Sequence, residues 1–189
     1  LDKAENDEAL NRDDCRYLLN LDEKSFEAGL LRAAASSLIR SKNDNSAIIL
    51  GQIGVDVNPC PGGCKFCTFG EEHTHFERVR MSEEELCQKI EEFCRYGDLY
   101  GLYLMSMHDY DFDHYLKCIE LARKIAPSTT QIWANVGDTS LDGYKQLHAA
   151  GVTGVYHVCR LREGIDTALK PEDRIKSMQN ALEAGLELY

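Results

Sequence analysis

Four times between residues 47 and 185 an apolar run suited to a strand precedes a capped amphipathic helix, and no other feature restricts the fold as much. Residues 47–57 are β-branched and too rich in glycine for a helix, so they form a first strand. After a loop, Ser82 opens a helix, and Glu85 three residues on completes a capping box. Leu86, Ile90, Phe93 and Cys94 follow at helical spacing, with Gly97 as the stop. Residues 99–107 make a second strand, apolar enough for burial on both faces. Asp109 or Asp111 caps the next helix, with Tyr115, Ile119, Ala122 and Ile125 inward and Pro127 as terminator. Residues 130–136 are a third strand. Thr139 or Ser140 caps the helix after it, with Tyr144 and Leu147 inward and Gly151 at its end. Residues 152–159 are a fourth strand. Pro171 then starts a helix with Ile175, Met178 and Leu182 inward and Gly185 as its stop. Residues 186–189 begin a fifth strand.

Such alternation implies an α/β fold of parallel βαβ units with right-handed crossovers, either a doubly wound sheet or a TIM-type (β/α) barrel, whole or partial. No glycine-rich phosphate fingerprint follows the first strand, which weighs against a dinucleotide-binding sheet. The barrel, over residues 46–189, is preceded by a helical extension over residues 1–45. One short apolar face there comes from Leu10, Cys15, Leu18 and Leu19, and a second from Phe26, Leu30, Leu31, Ala34 and Leu38. Gly29 interrupts the second helix, and residues 41–46 are a polar turn. A barrel stopping at its fifth strand has an uncovered edge, so the expectation is a piece of a longer protein.

Charge narrows the partners. A net charge of −11, with no basic stripe, argues against nucleic acid. No uncharged run approaches the roughly 20 residues of a membrane span. The first residues are acidic and unlike a signal peptide. Eight cysteines without a signal point to a reducing, cytoplasmic setting and to metal ligation rather than disulfides.

Three of those cysteines are crowded into one loop. Cys60, Cys64 and Cys67 stand at C-x3-C-x2-C spacing among Pro61, Gly62 and Gly63, directly after the first strand. An iron–sulfur cluster usually takes four cysteines, so three leave one iron open to another ligand. The glycines permit φ > 0 and let backbone amides approach cluster sulfides. The rival is zinc, with His73 or His75 completing a Cys3His site, although structural zinc more often uses C-x2-C pairs and no second pair is present. The other cysteines read as packing residues: Cys15, Cys87, Cys94 and Cys118 on helices, and Cys159 as a buried thiol.

The loop, with Phe66 directly before its last cysteine, resembles the cluster motif of the radical S-adenosylmethionine (SAM) enzymes. The leading helices, the polar turn, and Tyr156-His-Val-Cys-Arg-Leu-Arg-Glu-Gly-Ile-Asp-Thr167 followed by Pro171-Glu-Asp-Arg-Ile175 resemble the biotin synthase-like group. That group includes hydrogenase maturation, thiazole synthesis and methylornithine synthase branches. The resemblance implies a partial or full barrel with its active residues at the C-terminal ends of the strands. It implies a 4Fe-4S cluster on Cys60, Cys64 and Cys67 that reductively cleaves SAM to methionine and a 5′-deoxyadenosyl radical. That radical abstracts hydrogen from a small metabolite, in transferase or lyase chemistry fed by a flavodoxin- or ferredoxin-type electron donor.

By the same resemblance, Phe66 lies beside the adenine. Ser106 stands near the SAM amino group, in Met105-Ser106-Met107-His108, where the wider family has a Gly-Gly-Glu-like stretch. Arg160 or Arg162 pairs with the SAM carboxylate, and Glu163 accepts from ribose hydroxyls or the amino group, with His157 in the same region. Lys170 falls near a carboxylate-binding Arg of biotin synthase. These departures set the chain apart from biotin synthesis itself. The alternative is a zinc- or cluster-stabilised binding or assembly module without catalysis. Asp109, Asp111 and Asp113, with His108 and His114, read as acids at a helix N-terminus rather than a metal site. His108 and Asn135, at strand ends, face the site, and Trp133 reads as core or helix-facing.

Overall fold

The computed structural model describes residues 2–6 and 8–189; Leu1 and Asp7, inside the stretch expected to be helical, lie outside the described residues. Two compact units, residues 1–48 and 49–189, are taken separately. The first holds α1 (Asp2–Glu5), α2 (Arg12–Leu19) and α3 (Phe26–Lys42). Asn11 caps α2 by accepting from the Asp13 and Asp14 amides, and the Asp14 side chain answers with a capping box. Ser25 caps α3. In α2 and α3 only Ala28 is buried, and Cys15, read as a packing residue, is exposed.

The second unit contains β1 (Ile49–Val57), β2 (Val79–Arg80), α4 (Glu83–Cys94), β3 (Leu99–Ser106), α5 (Phe112–Ile125), β4 (Gln131–Asn135), α6 (Leu141–Ala149), β5 (Gly154–Val155), α7 (Pro171–Glu183) and β6 (Glu187–Leu188). The sheet order is β2-β1-β3-β4-β5-β6, parallel throughout except that β2 runs antiparallel to β1. From β1 onward each crossover advances in the same direction. Right-handed crossovers then put α4 to α7 on one face, whereas a doubly wound sheet would reverse its order at a switch point. The sheet is open, and the fold is a partial TIM-type barrel.

One core lies between sheet and helices. Ile53 and Val55 of β1, Leu102 and Leu104 of β3, and Ile132 and Ala134 of β4 meet Leu86, Ile90, Tyr115, Ile119, Tyr144, Leu147 and Ala181 from the four helices. Each of the larger side chains stabilises the fold by about 1.5–3 kcal/mol through burial. Caps mark the helix starts. Ser82 and Glu85 form the expected capping box. Asp111 rather than Asp109 caps α5, and Ser140 rather than Thr139 caps α6.

Residues alternating with the core set point to the other sheet face, and Trp133 is among them. It is buried but faces away from the helices, stacked on Tyr103 at 5.7 Å and edge-on to Tyr189 at 6.2 Å. Glycines on both neighbouring strands make room for its indole. A Cβ on Gly154 would lie 2.5 Å from Trp133 Cζ3, and one on Gly101 3.4 Å from its Cδ1.

Other expectations need correction. In α7 the inward residues are Arg174, Ser177, Asn180 and Ala181, while Ile175 and Leu182 are 45% and 57% exposed. Hydrogen bonds turn the helix this way. Ser177 Oγ accepts from Thr139 N (3.0 Å) and bonds the Tyr144 hydroxyl (2.9 Å), and Asn180 Nδ2 donates to Thr139 O (3.0 Å). Phe93 is likewise exposed. The fourth strand pairs only over Gly154–Val155, and the short strand β2 lies between the cysteine loop and the Ser82 helix, where no strand is expected.

An ion-pair network anchors β2. Asp56, 1% exposed, accepts from Arg78 Nε (2.7 Å) and Nη2 (2.5 Å), and Arg80 bridges to Asp111 at 2.9 Å. Burial works to raise the Asp56 carboxyl, but hydrogen bonds and charge from Arg78, then Arg80, hold it below the ordinary 3.8. Its folded value lies below its unfolded one, so this stabilisation is complete above about pH 4 and is lost as pH falls through the folded value. Asp56→Asn is expected to cost about 2–3 kcal/mol at pH 7 and to flatten the acid limb of the stability profile. Urea unfolding from pH 2 to 7 measures both, and an unchanged profile would contradict the network.

Candidate functional site

The cysteine loop leaves β1 at the C-terminal edge of the sheet and is closed at its neck by backbone hydrogen bonds. Cys60 N donates to Phe69 O (2.7 Å) and Glu71 N to Cys60 O (3.1 Å); inside, Cys67 N donates to Cys64 O (3.0 Å) and Gly70 N to Cys67 O (3.2 Å). Asn58, just before the loop, donates through Nδ2 to the Asp109 carboxylate at 3.1 and 3.2 Å, tying the neck to the end of β3. All three thiols are free; Cys64 is buried, and Cys60 and Cys67 are half-buried. Burial pushes the Cys64 thiol up, and the Arg160 charge draws it back.

The three cysteines line one cavity of about 460 Å³. Its wall continues along the C-terminal ends of β3 and β4 with Met105, Ser106, Met107, His108, Asn135 and Gly137. Gly62 keeps the space between two of the sulfurs open. A Cβ there would lie 3.4 Å from Cys60 Sγ and 3.7 Å from Cys64 Sγ. Among the described residues no three His, Cys, Asp or Glu side chains are grouped to hold a single ion, and His73 and His75 are exposed and do not line this cavity. A cluster takes each thiolate on a separate iron and so accepts a wider spacing than one zinc ion does. The donor set fits a cluster.

The SAM contacts expected from sequence divide in two. Phe66, Ser106 and Arg160 line the cavity; Arg162, Glu163 and His157 do not. Arg162 is exposed and paired with Asp166 at 2.5 Å. Glu163 is buried with both oxygens engaged, one accepting from Arg160 N (2.8 Å) and the other from Thr167 Oγ1 (2.7 Å). His157 is 3% exposed and bonded through Nε2 to Asp138 Oδ1 at 2.9 Å. Lys170 and Cys159 also lie outside the cavity lining.

Neither a family model nor a curated protein sequence matches the chain. Solved structures do. The crystal structure of methylornithine synthase (PylB) aligns at a TM-score of 0.79 and 18% identity over 99% of this chain. HydG, a maturase of the FeFe-hydrogenase, aligns at 0.72 and 16% identity, and HydG from Carboxydothermus hydrogenoformans at 0.69 and 18%, each over 99% of this chain. The chain has their fold. It spans about half the length of these proteins: 56% of methylornithine synthase and 44% and 46% of the two maturases. Hydrogenase maturation and methylornithine synthase are two of the branches that the sequence resembles. Among the described residues, no helix is long and apolar enough to cross a membrane.

One functional candidate escaped the sequence reading. Arg174, from the inward face of α7, lines the cavity although it is 5% exposed. Its Nε donates to Val158 O (3.2 Å) and its Nη1 to Asp138 Oδ1 (2.9 Å), which leaves Nη2 without a hydrogen bond among the described residues. Burial works to raise Asp138, but the hydrogen bond from His157 and the Arg174 charge hold it below its ordinary value. Asp138 is therefore ionised and fixes the guanidinium. His108, on the same wall, is pushed down mainly by burial, with Arg174 adding to the shift and Asp138 opposing it, so its ring is neutral at pH 7.

Proposed function

We propose that the chain carries the cluster and SAM sites of a radical SAM enzyme acting on a small metabolite. The observation that carries this reading is the convergence of Cys60, Cys64 and Cys67 on one cavity at the C-terminal ends of parallel strands. The fold shared with a methylornithine synthase and a hydrogenase maturase supports it. When bound, the 4Fe-4S cluster and SAM supply, with one electron from a flavodoxin- or ferredoxin-type donor, a 5′-deoxyadenosyl radical that abstracts hydrogen from the substrate.

The chain's own residues bind, orient and exclude water. The three thiols, once deprotonated, would hold the cluster. Phe66 presents an exposed ring for the adenine face. Ser106, at the end of β3, offers a hydroxyl oxygen to an ammonium group. Arg174 suits the SAM carboxylate better than Arg162, because its guanidinium is buried, fixed by Asp138 and belongs to a residue lining the cavity, whereas Arg162 is exposed and paired with Asp166. Met105, Met107, Val136 and Leu169 make much of the remaining wall apolar, which keeps water from the reacting atoms.

Anaerobic reconstitution of the full-length protein with iron and sulfide tests the cluster. A brown protein with charge-transfer absorption that depends on Cys60, Cys64 and Cys67 is expected. A colourless protein that takes up zinc instead would favour a binding or assembly module.

A further inference from the structure

Residues 160–169 follow β5 without regular structure, yet they are bound along their length to the cysteine loop. Ala168 N donates to Gly62 O (2.9 Å), Lys65 N to Asp166 O (3.0 Å), and Lys65 Nζ to Ile165 O (3.2 Å). Gly63, at φ +57°, is the point of closest approach: a Cβ there would lie 3.1 Å from Ala168 Cβ and 3.3 Å from its nitrogen. This strap is fixed from within by Glu163. One Glu163 oxygen holds Arg160 N and the other holds Thr167 Oγ1, which in turn accepts from Gly164 N (3.1 Å) and Leu169 N (3.3 Å).

A buried carboxylate is costly unless its hydrogen bonds are satisfied. Here those bonds set where the strap begins, and it begins at Arg160. The Arg160 side chain lines the cavity of the three cysteines. Its Cζ stands 5.8 Å over the ring centroid of Phe66, the neighbour of Cys67, and its Nη1 lies 3.8 Å from Glu163 Oε2. It is thus held by a ring face, a carboxylate and its own anchored backbone.

We propose that Arg160 is the fixed counter-charge of the three-cysteine site, positioned by Glu163, and that it raises the reduction potential of the cluster bound there. The inference rests on reading Cys60, Cys64 and Cys67 as cluster ligands. Three thiolates make the site anionic, and the one electron accepted from the donor makes it more so, with no bond formed or broken at that step. A cation held at a partly buried wall favours the more negative form, because screening there is weaker than in water. Net charge and hydrogen bonding around a cluster set its potential. A guanidinium does not deprotonate, so this counter-charge is the same at every physiological pH. Glu163 opposes Arg160, but the Arg160 side chain lines the cavity of the three cysteines and Glu163 does not.

The test is the midpoint potential of the reconstituted full-length protein, followed by electron paramagnetic resonance without SAM, so that a role in SAM binding cannot contribute. Arg160→Gln is expected to shift the potential down and Arg160→Lys to keep it near the wild-type value. Loss of iron from Arg160→Gln but not from Arg160→Lys supports the same role at assembly. An iron-loaded Arg160→Gln protein with wild-type potential overturns the inference, and weaker SAM binding in that variant would assign Arg160 to the SAM carboxylate. A wild-type protein that takes up no iron would overturn the cluster reading itself.

Discussion

Cys64→Ala is expected to leave the chain folded and to abolish iron uptake and SAM cleavage together. The loop does not depend on the thiol for its shape. Its neck is closed by the Cys60 and Glu71 amides, and the strap holds Gly62 and Lys65 through backbone bonds. Cys64 is the buried member of the three. Losing one of three protein ligands leaves a second iron without a thiolate. The expected fall in SAM cleavage is a thousand-fold or more, about 4 kcal/mol in barrier terms. Iron analysis, thermal melting and product chromatography read the three parts separately. A variant that melts like wild type, holds no iron and makes no product fits the assignment; one that retains iron and activity refutes it.

Gly137→Ala is expected to have the largest effect on stability. Gly137 follows β4 and is packed against the end of β3. A Cβ there would lie 1.9 Å from the His108 carbonyl oxygen and 2.8 Å from its carbonyl carbon. These are backbone atoms that cannot rotate aside, so the ends of β3 and β4 must separate at the cavity wall. The expected cost is about 3 kcal/mol or more. Gly143→Ala is the control, since its Cβ would meet side-chain atoms first, Thr139 Cγ2 at 2.8 Å and Phe112 Cε2 at 3.2 Å. Urea unfolding that gives Gly137→Ala a loss under 1 kcal/mol would mean the two strand ends are not in such close contact.

The parts of this molecule legible in the sequence are those governed by neighbours in the chain. Capping at Ser82 and Glu85, the Pro171 start and the apolar runs of β1, β3 and β4 are local signals, and they coincide with the observed elements. The cysteine loop is local as well, which is why its position after β1 is readable from spacing alone. The inward face of α7 is not local. Residues 174, 177 and 181 have the same helical spacing as 175, 178 and 182, and hydropathy favours the second set. Asp138, Thr139 and Tyr144, more than thirty residues away, select the first through hydrogen bonds. Arg174 was hidden for that reason.

The residues expected to touch SAM show the same division. Phe66 and Ser106 are placed by the loop and strand that carry them, and both line the cavity. Glu163 and Arg162 lie in the strap, where two residues have φ near +60 to +80°, Arg162 at 64° and Gly164 at 80°. That turn sends Arg162 outward to Asp166 and folds Glu163 inward to Thr167. No periodic pattern encodes such a turn, so the family resemblance and charge type point both residues to the cofactor while the turn takes them away from it. The role of Trp133 was similarly ambiguous, because burial can arise on either sheet face; the glycines at 101 and 154 that accept its indole belong to neighbouring strands.

The most direct test of the account is SAM cleavage by the full-length, iron-loaded protein under anaerobic reduction. Formation of 5′-deoxyadenosine and methionine in equal amounts, absent in Cys64→Ala, is the expected result. A protein that holds a reducible cluster on Cys60, Cys64 and Cys67 and binds SAM, yet forms no 5′-deoxyadenosine, would contradict it.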